Sequence, residues 1–290
     1  MIPAAFEYVA PGSVSEAIGL LQRHGSDAKI IAGGQSLVPM LRFRLASPAV
    51  LVDIGRIAEL AYLREEDGWL RIGALTRHAE MERSPLIRDR YPLLASTAGW
   101  VADPIVRNLG TVCGSLAHAD PAGDWGAALL AARARVVLSG PSGQRTLALE
   151  DFLLDTFSTA LGEDELLTEV QVPAPTGATG GNYQKIERKV GDFATAAVGV
   201  QIGFDARGRI AAAGIGLCAA GPISRRAARA EACLIGQPPN DAAFANAGAL
   251  AAAQAEPSAD TRGPADYKQD MFRVLTVRAL RAAAAGTRQA

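Results

Sequence analysis

The chain has 290 residues, a length that suggests about two domains, and its 49% apolar and 20% charged content lets it bury a sizeable core and excludes a disordered chain. Its formal net charge is −1, from 29 Lys+Arg against 30 Asp+Glu, and no sustained basic block speaks for nucleic acid as a partner. The start, Met1-Ile2-Pro3-Ala4-Ala5-Phe6-Glu7, lacks the basic and apolar regions of a secretory signal, and no apolar run nears the ~18–20 residues that span a bilayer, so a cytoplasmic protein without a membrane span is expected.

In chain order, Ser13-Val14-Ser15-Glu16 fits a capping box, and Val14, Ala17, Ile18 and Leu21 recur at helical spacing until Gly25. A strand over 29–32 runs into Gly33-Gly34, and a second buried strand follows over 50–54; strand, helix and strand make a small α/β unit. A hairpin occupies 60–75 with its turn at Glu65-Glu66-Asp67-Gly68. Thr76 is placed to cap a short helix to Met81, and one helix spans 85–97. Residues 103–124 read as loop, closed by Asp120-Pro121 as N-cap and first residue of a helix to about Arg133. A hairpin over 135–149 and a strand over 165–172 complete this half. Pro and Gly then cluster over 173–181 as a linker or long loop. Beyond it, strands over 182–188, 195–204 and 210–219 precede helices over 224–235, 241–255 and 264–285, an α+β pattern.

Cys113, Cys218 and Cys233 are widely spaced, which is too few thiolates for an all-cysteine iron–sulfur cluster and no disulfide framework. His24, His78 and His118 lack metal-ligand spacing. Redox chemistry in this chain therefore needs an organic cofactor.

The stretch Ala32-Gly33-Gly34-Gln35-Ser36-Leu37 is the first binding candidate. Without Cβ atoms, the two glycines let backbone N–H groups approach a ligand, and successive amides form a nest for an anion such as phosphate. Taken alone it reads as an ordinary strand-to-loop turn. A second glycine-containing stretch, Arg107-Asn108-Leu109-Gly110-Thr111-Val112-Cys113-Gly114-Ser115, lies a domain-sized span downstream.

Together these two stretches, closing on Asp120-Pro121 and Asp124, resemble the FAD-binding medium subunit of molybdenum hydroxylases, the family of carbon monoxide dehydrogenase and of the flavin segment of xanthine dehydrogenase. The resemblance continues through Lys185-Ile186-Glu187-Arg188-Lys189-Val190-Gly191-Asp192-Phe193-Ala194 and the helix from Tyr267-Lys268 to Leu280, so it covers essentially the whole chain. It implies an α+β fold: a two-part N-terminal FAD-binding domain over 1–176, with a small α/β unit over about 1–58 and a mixed α/β subdomain over 59–176, and a C-terminal domain over 177–290 with an antiparallel sheet and helices. It also implies that residues 32–37 (Ala32, Gly33, Gly34, Gln35, Ser36, Leu37) and 110–115 (Gly110, Thr111, Val112, Cys113, Gly114, Ser115) cradle the FAD pyrophosphate, with little positive charge nearby. Asp124 would contact sugar or ribityl hydroxyls, Lys185 the pyrimidine edge of the flavin, and Phe193 the isoalloxazine. The plain alternatives are a first-turn helix charge for Asp124, an exposed strand lysine for Lys185 and a core aromatic for Phe193. Cys113 stands where the family usually has glycine, so either the backbone there accepts a side chain or FAD binding is altered; His118 is read as a structural or polar contact.

The expected function is that of an electron-transfer flavoprotein. Molybdopterin would reside in a large partner chain and [2Fe-2S] clusters in a small one, and electrons would pass through FAD to an external acceptor. Assembly as a heterohexamer, a dimer of three-chain units, is implied by the family alone. The competing readings are a stand-alone flavin oxidase and a nucleotide-binding module that has lost flavin, the latter favoured only by Cys113.

Overall fold

Three short parallel strands in the spatial order Glu7–Val9, Val50–Asp53, Ala28–Ile31 open the computed structural model, which describes residues 2–287. The helix Val14–His24 joins the first of them to Ala28–Ile31. Ser13 Oγ accepts the Glu16 N–H at 3.1 Å, but the Glu16 carboxylate reaches back to the Gly12 N–H (2.8 Å), one residue earlier than a capping box requires. Gly25, at φ +51°, ends the helix as expected. Ala17, Leu20 and Leu21 seal this unit against the strands Val50–Asp53 and Ala28–Ile31.

The middle of the chain forms an antiparallel sheet ordered Leu63–Glu66, Trp69–Gly73, Leu166–Pro173, Arg135–Gly140, Gly143–Ala148. Several expectations shift here for local reasons. The first hairpin strand starts at Leu63, and Thr76 caps no helix; its hydroxyl donates to Tyr62 O at 2.6 Å, and the helix that follows is His78–Arg83. The single helix expected over 85–97 is two, Pro85–Arg90 and Pro92–Ala98, because Pro92 forces Tyr91 out of the helical region (φ −123°, ψ 68°). Residues 103–124 are not a loop. They contain Pro104–Leu109, capped by Asp103 Oδ1 on the Val106 N–H (2.9 Å), and Val112–His118, capped by Thr111 Oγ1 on the Gly114 N–H (3.1 Å). Asp120 closes a turn through the Ala122 N–H, and the next helix, Asp124–Ala131, starts four residues after it.

The C-terminal sheet runs Thr179–Ile186, Ala196–Phe204, Ile210–Cys218, Arg225–Arg226, all antiparallel, so its first strand begins inside the stretch expected to be linker. Its two faces differ by the period of two. Val198, Val200, Ile202, Ile215 and Leu217 join one core with the helices Ala228–Leu234, Asp241–Gln254 and Ala265–Ala285. The other face carries Gly181, Gly199, Gly214 and Gly216, where an added Cβ would collide with Leu93, Ala131 O and Ala127 O at the first, third and fourth and press on Ala128 Cα (3.1 Å) at Gly199. The helices Pro92–Ala98 and Asp124–Ala131 thus rest on bare backbone, and one hydrophobic cluster continues from the N-terminal half into Tyr183, Ala197 and Cys218. Among the described residues, no helix is long and apolar enough to cross a membrane, and no group of His, Cys, Asp and Glu could hold a metal ion.

Candidate functional site

The strand Ala28–Ile31 delivers Ala32 to Ser36 to one edge of the parallel unit, and Leu37 opens the short helix Leu37–Arg42. Gly34 has φ +70°, a conformation closed to most side chains. Gly33 is required for a different reason: a Cβ there would overlap the Leu109 carbonyl oxygen and lie 2.7 Å from Gly110 Cα. The two stretches paired in the sequence are therefore in direct backbone contact. Among the described residues, the N–H groups of Gly33, Gly34, Gln35 and Ser36 have no acceptor, while the Gln35 side chain braces the loop through Gly33 O at 3.1 Å. A run of successive unpaired amides on a half-exposed loop is a donor set suited to an anion.

The second stretch contributes fewer donors than the sequence suggests, because most of its amides are engaged. Gly110 N–H bonds Val106 O (2.7 Å), Val112 N–H bonds Thr76 O (3.2 Å), and Gly114 and Ser115 are held by Thr111. Only the N–H groups of Thr111 and Cys113 lack an acceptor among the described residues. Gly114 is glycine because a Cβ would sit 2.6 Å from Thr111 Oγ1. Val112 is fully buried.

Cys113 is resolved by its place in the helix Val112–His118, where the backbone needs no glycine. Its side chain turns into the core, Sγ lies 3.7 Å from Ile72 O, and burial pushes the thiol well above its ordinary range. The thiol is thus buried away from any ligand, while the amide has no acceptor among the described residues. Cys113→Ala is expected to cost about 1 kcal/mol of stability and leave flavin content unchanged, checked by denaturant unfolding and by the visible spectrum.

Asp124, Lys185 and Phe193 are not brought together in one cavity. Asp124 and Lys185 meet each other across the two halves of the chain. Lys185 Nζ, with a side chain of 0% exposure, lies 3.1 Å from Asp124 Oδ2, 3.1 Å from Trp100 O and 3.3 Å from Glu187 Oε2. The Glu187 contact is close but not aligned as a hydrogen bond. Tyr183 donates to Asp124 Oδ1 at 2.8 Å, so both oxygens of that carboxylate are engaged. Burial pushes the Asp124 carboxyl up to about 6, against the pull of Lys185 and Tyr183. Lys185 is therefore neither an exposed strand lysine nor free to approach a ligand in this arrangement. Phe193 is 48% exposed and no core aromatic; it ends a turn whose Gly191 (φ +83°) rests against Ala102 and Asp103, with Asp192 held by Arg188 and Arg262.

Two residues beside the site carried no weight in the sequence. His78, buried, accepts the Trp125 indole N–H on Nδ1 at 3.0 Å, and its ring would lie 2.8 Å from a Cβ on Gly110. Burial, helped by Arg107 and Arg77, lowers it to about 4, so it is neutral near pH 7. Arg77 pairs with Thr111 in an isolated β-bridge and donates to the Leu109 carbonyl. The signal was present in Thr76-Arg77-His78 directly after a strand, but only the fold places it against Gly110. His118 packs against Phe157 in a tilted ring contact, ring centres 5.0 Å and planes 38° apart, in keeping with a structural role.

Comparison with known proteins places this geometry. Residues 4–175 match the model for the FAD binding domain in molybdopterin dehydrogenase, and residues 181–283 that for the CO dehydrogenase flavoprotein C-terminal domain. The chain is 43% identical over 283 residues to the carbon monoxide dehydrogenase medium chain of Hydrogenophaga pseudoflava, covering 98% of both. It is 38% identical to the 6-hydroxypseudooxynicotine dehydrogenase complex subunit alpha of Paenarthrobacter nicotinovorans, over 97% of this chain and 95% of that one. Among solved structures, the Hydrogenophaga pseudoflava carbon monoxide dehydrogenase that lacks the Mo-pyranopterin moiety matches with a TM-score of 0.96 and 45% identity, over 99% of this chain and 100% of that one. With both halves matched in order and the bare Gly33–Gly110 contact between its two glycine stretches, the chain belongs to the FAD-binding medium subunits of the molybdenum hydroxylases.

Proposed function

We propose that this chain is the electron-transferring flavoprotein of a multi-subunit molybdenum-dependent dehydrogenase. In this reading a large partner would hold molybdopterin, a small partner would hold [2Fe-2S] clusters, and this chain would hold the FAD that links them to an external acceptor. The observation that carries the reading is the cradle at Gly33: two glycine stretches in backbone contact, with the unpaired N–H groups of Gly33, Gly34, Gln35 and Ser36 on one side and those of Thr111 and Cys113 on the other. That donor set suits the oxygens of a pyrophosphate, so the residues present fit FAD.

Within the chain, residues 32–37 and 110–115 hold the pyrophosphate, the former by amides and the latter mainly by positioning. Bound FAD supplies the redox chemistry, which no side chain here offers. The buried Asp124–Lys185 pair fixes the first turn of Asp124–Ala131 against the strand that leads to Phe193, and so sets the distance between the phosphate cradle and the flavin end of the site. Phe193, exposed in the C-terminal domain over 177–290, would be free to contact the isoalloxazine. No proton transfer by a side chain is required.

Spectra of the chain expressed alone and with its neighbouring reading frames test this. Flavin bands in the isolated chain, joined by iron–sulfur absorption only in a co-purified complex, are the expected result. Substrate-driven bleaching of the flavin in the isolated chain would instead make it a self-sufficient oxidase, and no flavin in either preparation would remove it from the redox proteins.

A further inference from the structure

The cradle as described consists of neutral amides, yet a pyrophosphate brings charge, and the sequence offered little positive charge nearby. Two guanidinium groups flank the second stretch. Arg107 is fully engaged: Nε lies 2.9 Å from Glu82 Oε2, and Nη1 bonds the carbonyls of Val101 (3.0 Å) and Ala102 (2.9 Å). Arg77 differs. Among the described residues, no carboxylate forms an ion pair with it, and the one acceptor of its guanidinium is Leu109 O. That same oxygen is the atom a Cβ on Gly33 would overlap. The guanidinium of this half-buried residue is therefore held beside the contact between Gly33 and Leu109, with the rest of its donor fork unpaired among the described residues. His78 next to it is neutral and adds no charge.

We propose that Arg77 is the cation of the phosphate cradle: anchored by one donor on Leu109 O, it presents its remaining N–H groups to the diphosphate of the dinucleotide and sets selectivity for FAD over flavins without that group. This rests on the two stretches being the FAD site. Arginine suits the task because its rigid fork pairs with phosphate oxygens while one arm stays bound to the carbonyl. Glycine at 33 serves the same end, since it lets the anchoring carbonyl approach the first loop.

The test is FAD binding to the flavin-free full-length chain, followed by quenching of flavin fluorescence, for wild type, R77Q and R77K. R77Q is expected to weaken FAD by roughly 10- to 100-fold, the scale of a lost charged hydrogen bond, and R77K by less. A merely structural arginine would not move the second readout, salt dependence. Between about 0.1 and 1 M salt the screening length contracts from about 10 to about 3 Å. Wild-type affinity is expected to fall across that range and that of R77Q to stay nearly flat. Equal affinities and equal salt slopes for wild type and R77Q, with Gly33→Val still abolishing binding, would overturn the role of Arg77 and leave the FAD site intact. Failure of the wild-type chain to bind FAD would overturn both.

Discussion

Gly33→Val abolishes flavin retention while the C-terminal sheet and its helices stay folded. The new side chain has no space: its Cβ would overlap Leu109 O and press on Gly110 Cα, which are backbone atoms on a neighbouring segment with no rotamer to change. Relief requires the two stretches to separate, and separation breaks the backbone contact that sets the Gly33–Ser36 amides beside the second stretch. Because the loop is half-exposed and lies at the edge of the small parallel unit, far in sequence from the core around Phe244, Phe272 and Leu275, the fold itself survives. Flavin content by absorbance, set beside far-ultraviolet circular dichroism, checks both halves of the expectation. Normal flavin content in the variant would rule out the cradle.

Lys185→Met is expected to be the most destabilising of these substitutions, at about 3–5 kcal/mol near neutral pH, because it leaves the carboxylates of Asp124 and Glu187 buried without their cation. The effect depends on pH, and its sign follows from Asp124. In the wild-type fold this carboxyl titrates at about 6, above its unfolded value near 4, chiefly because of burial, while Lys185 holds it down. Removing the ammonium raises the folded value further. A group whose folded pKa is raised stabilises the fold fully below the unfolded pKa and loses that contribution as pH rises through the folded one. The variant's deficit is therefore largest near pH 8 and shrinks towards pH 5, where Asp124 is protonated in the fold. Unfolding midpoints of the two proteins across that range measure it, and a deficit independent of pH would show that the ammonium acts by packing alone.

Much of this was legible in the residues. Gly33-Gly34 announced a close backbone approach, and the structure supplies what approaches: Leu109 and Gly110. The second stretch was harder to read because its helices are short. Pro104–Leu109 and Val112–His118 are too brief to show apolar periodicity, although Asp103-Pro104 and Thr111 with Gly114 carry the capping chemistry that makes them. The burial of Lys185 was legible in neither of its readings, a flavin contact or an exposed strand lysine, because burial belongs to the tertiary fold. The alternation Gly181, Tyr183, Lys185 places it on one face of its strand, but only the bare glycines opposite the helices reveal that this face is covered. Arg77 stayed hidden for a similar reason, since its neighbour Leu109 lies 32 residues downstream.

The glycine face of the C-terminal sheet bears on how such a subunit diversifies. The helix Asp124–Ala131 belongs by chain order to the flavin half, yet the carbonyl oxygens of Ala127 and Ala131 sit where Gly216 and Gly214 lack side chains. What looks from the sequence like two exchangeable modules is one interlocked pair, in which each glycine is matched to a particular turn of a helix on the other side of the linker. A hybrid joined at the linker must therefore keep both faces of that lock matched. The exposed side chains of Val190 and Ile105 take no part in that joint.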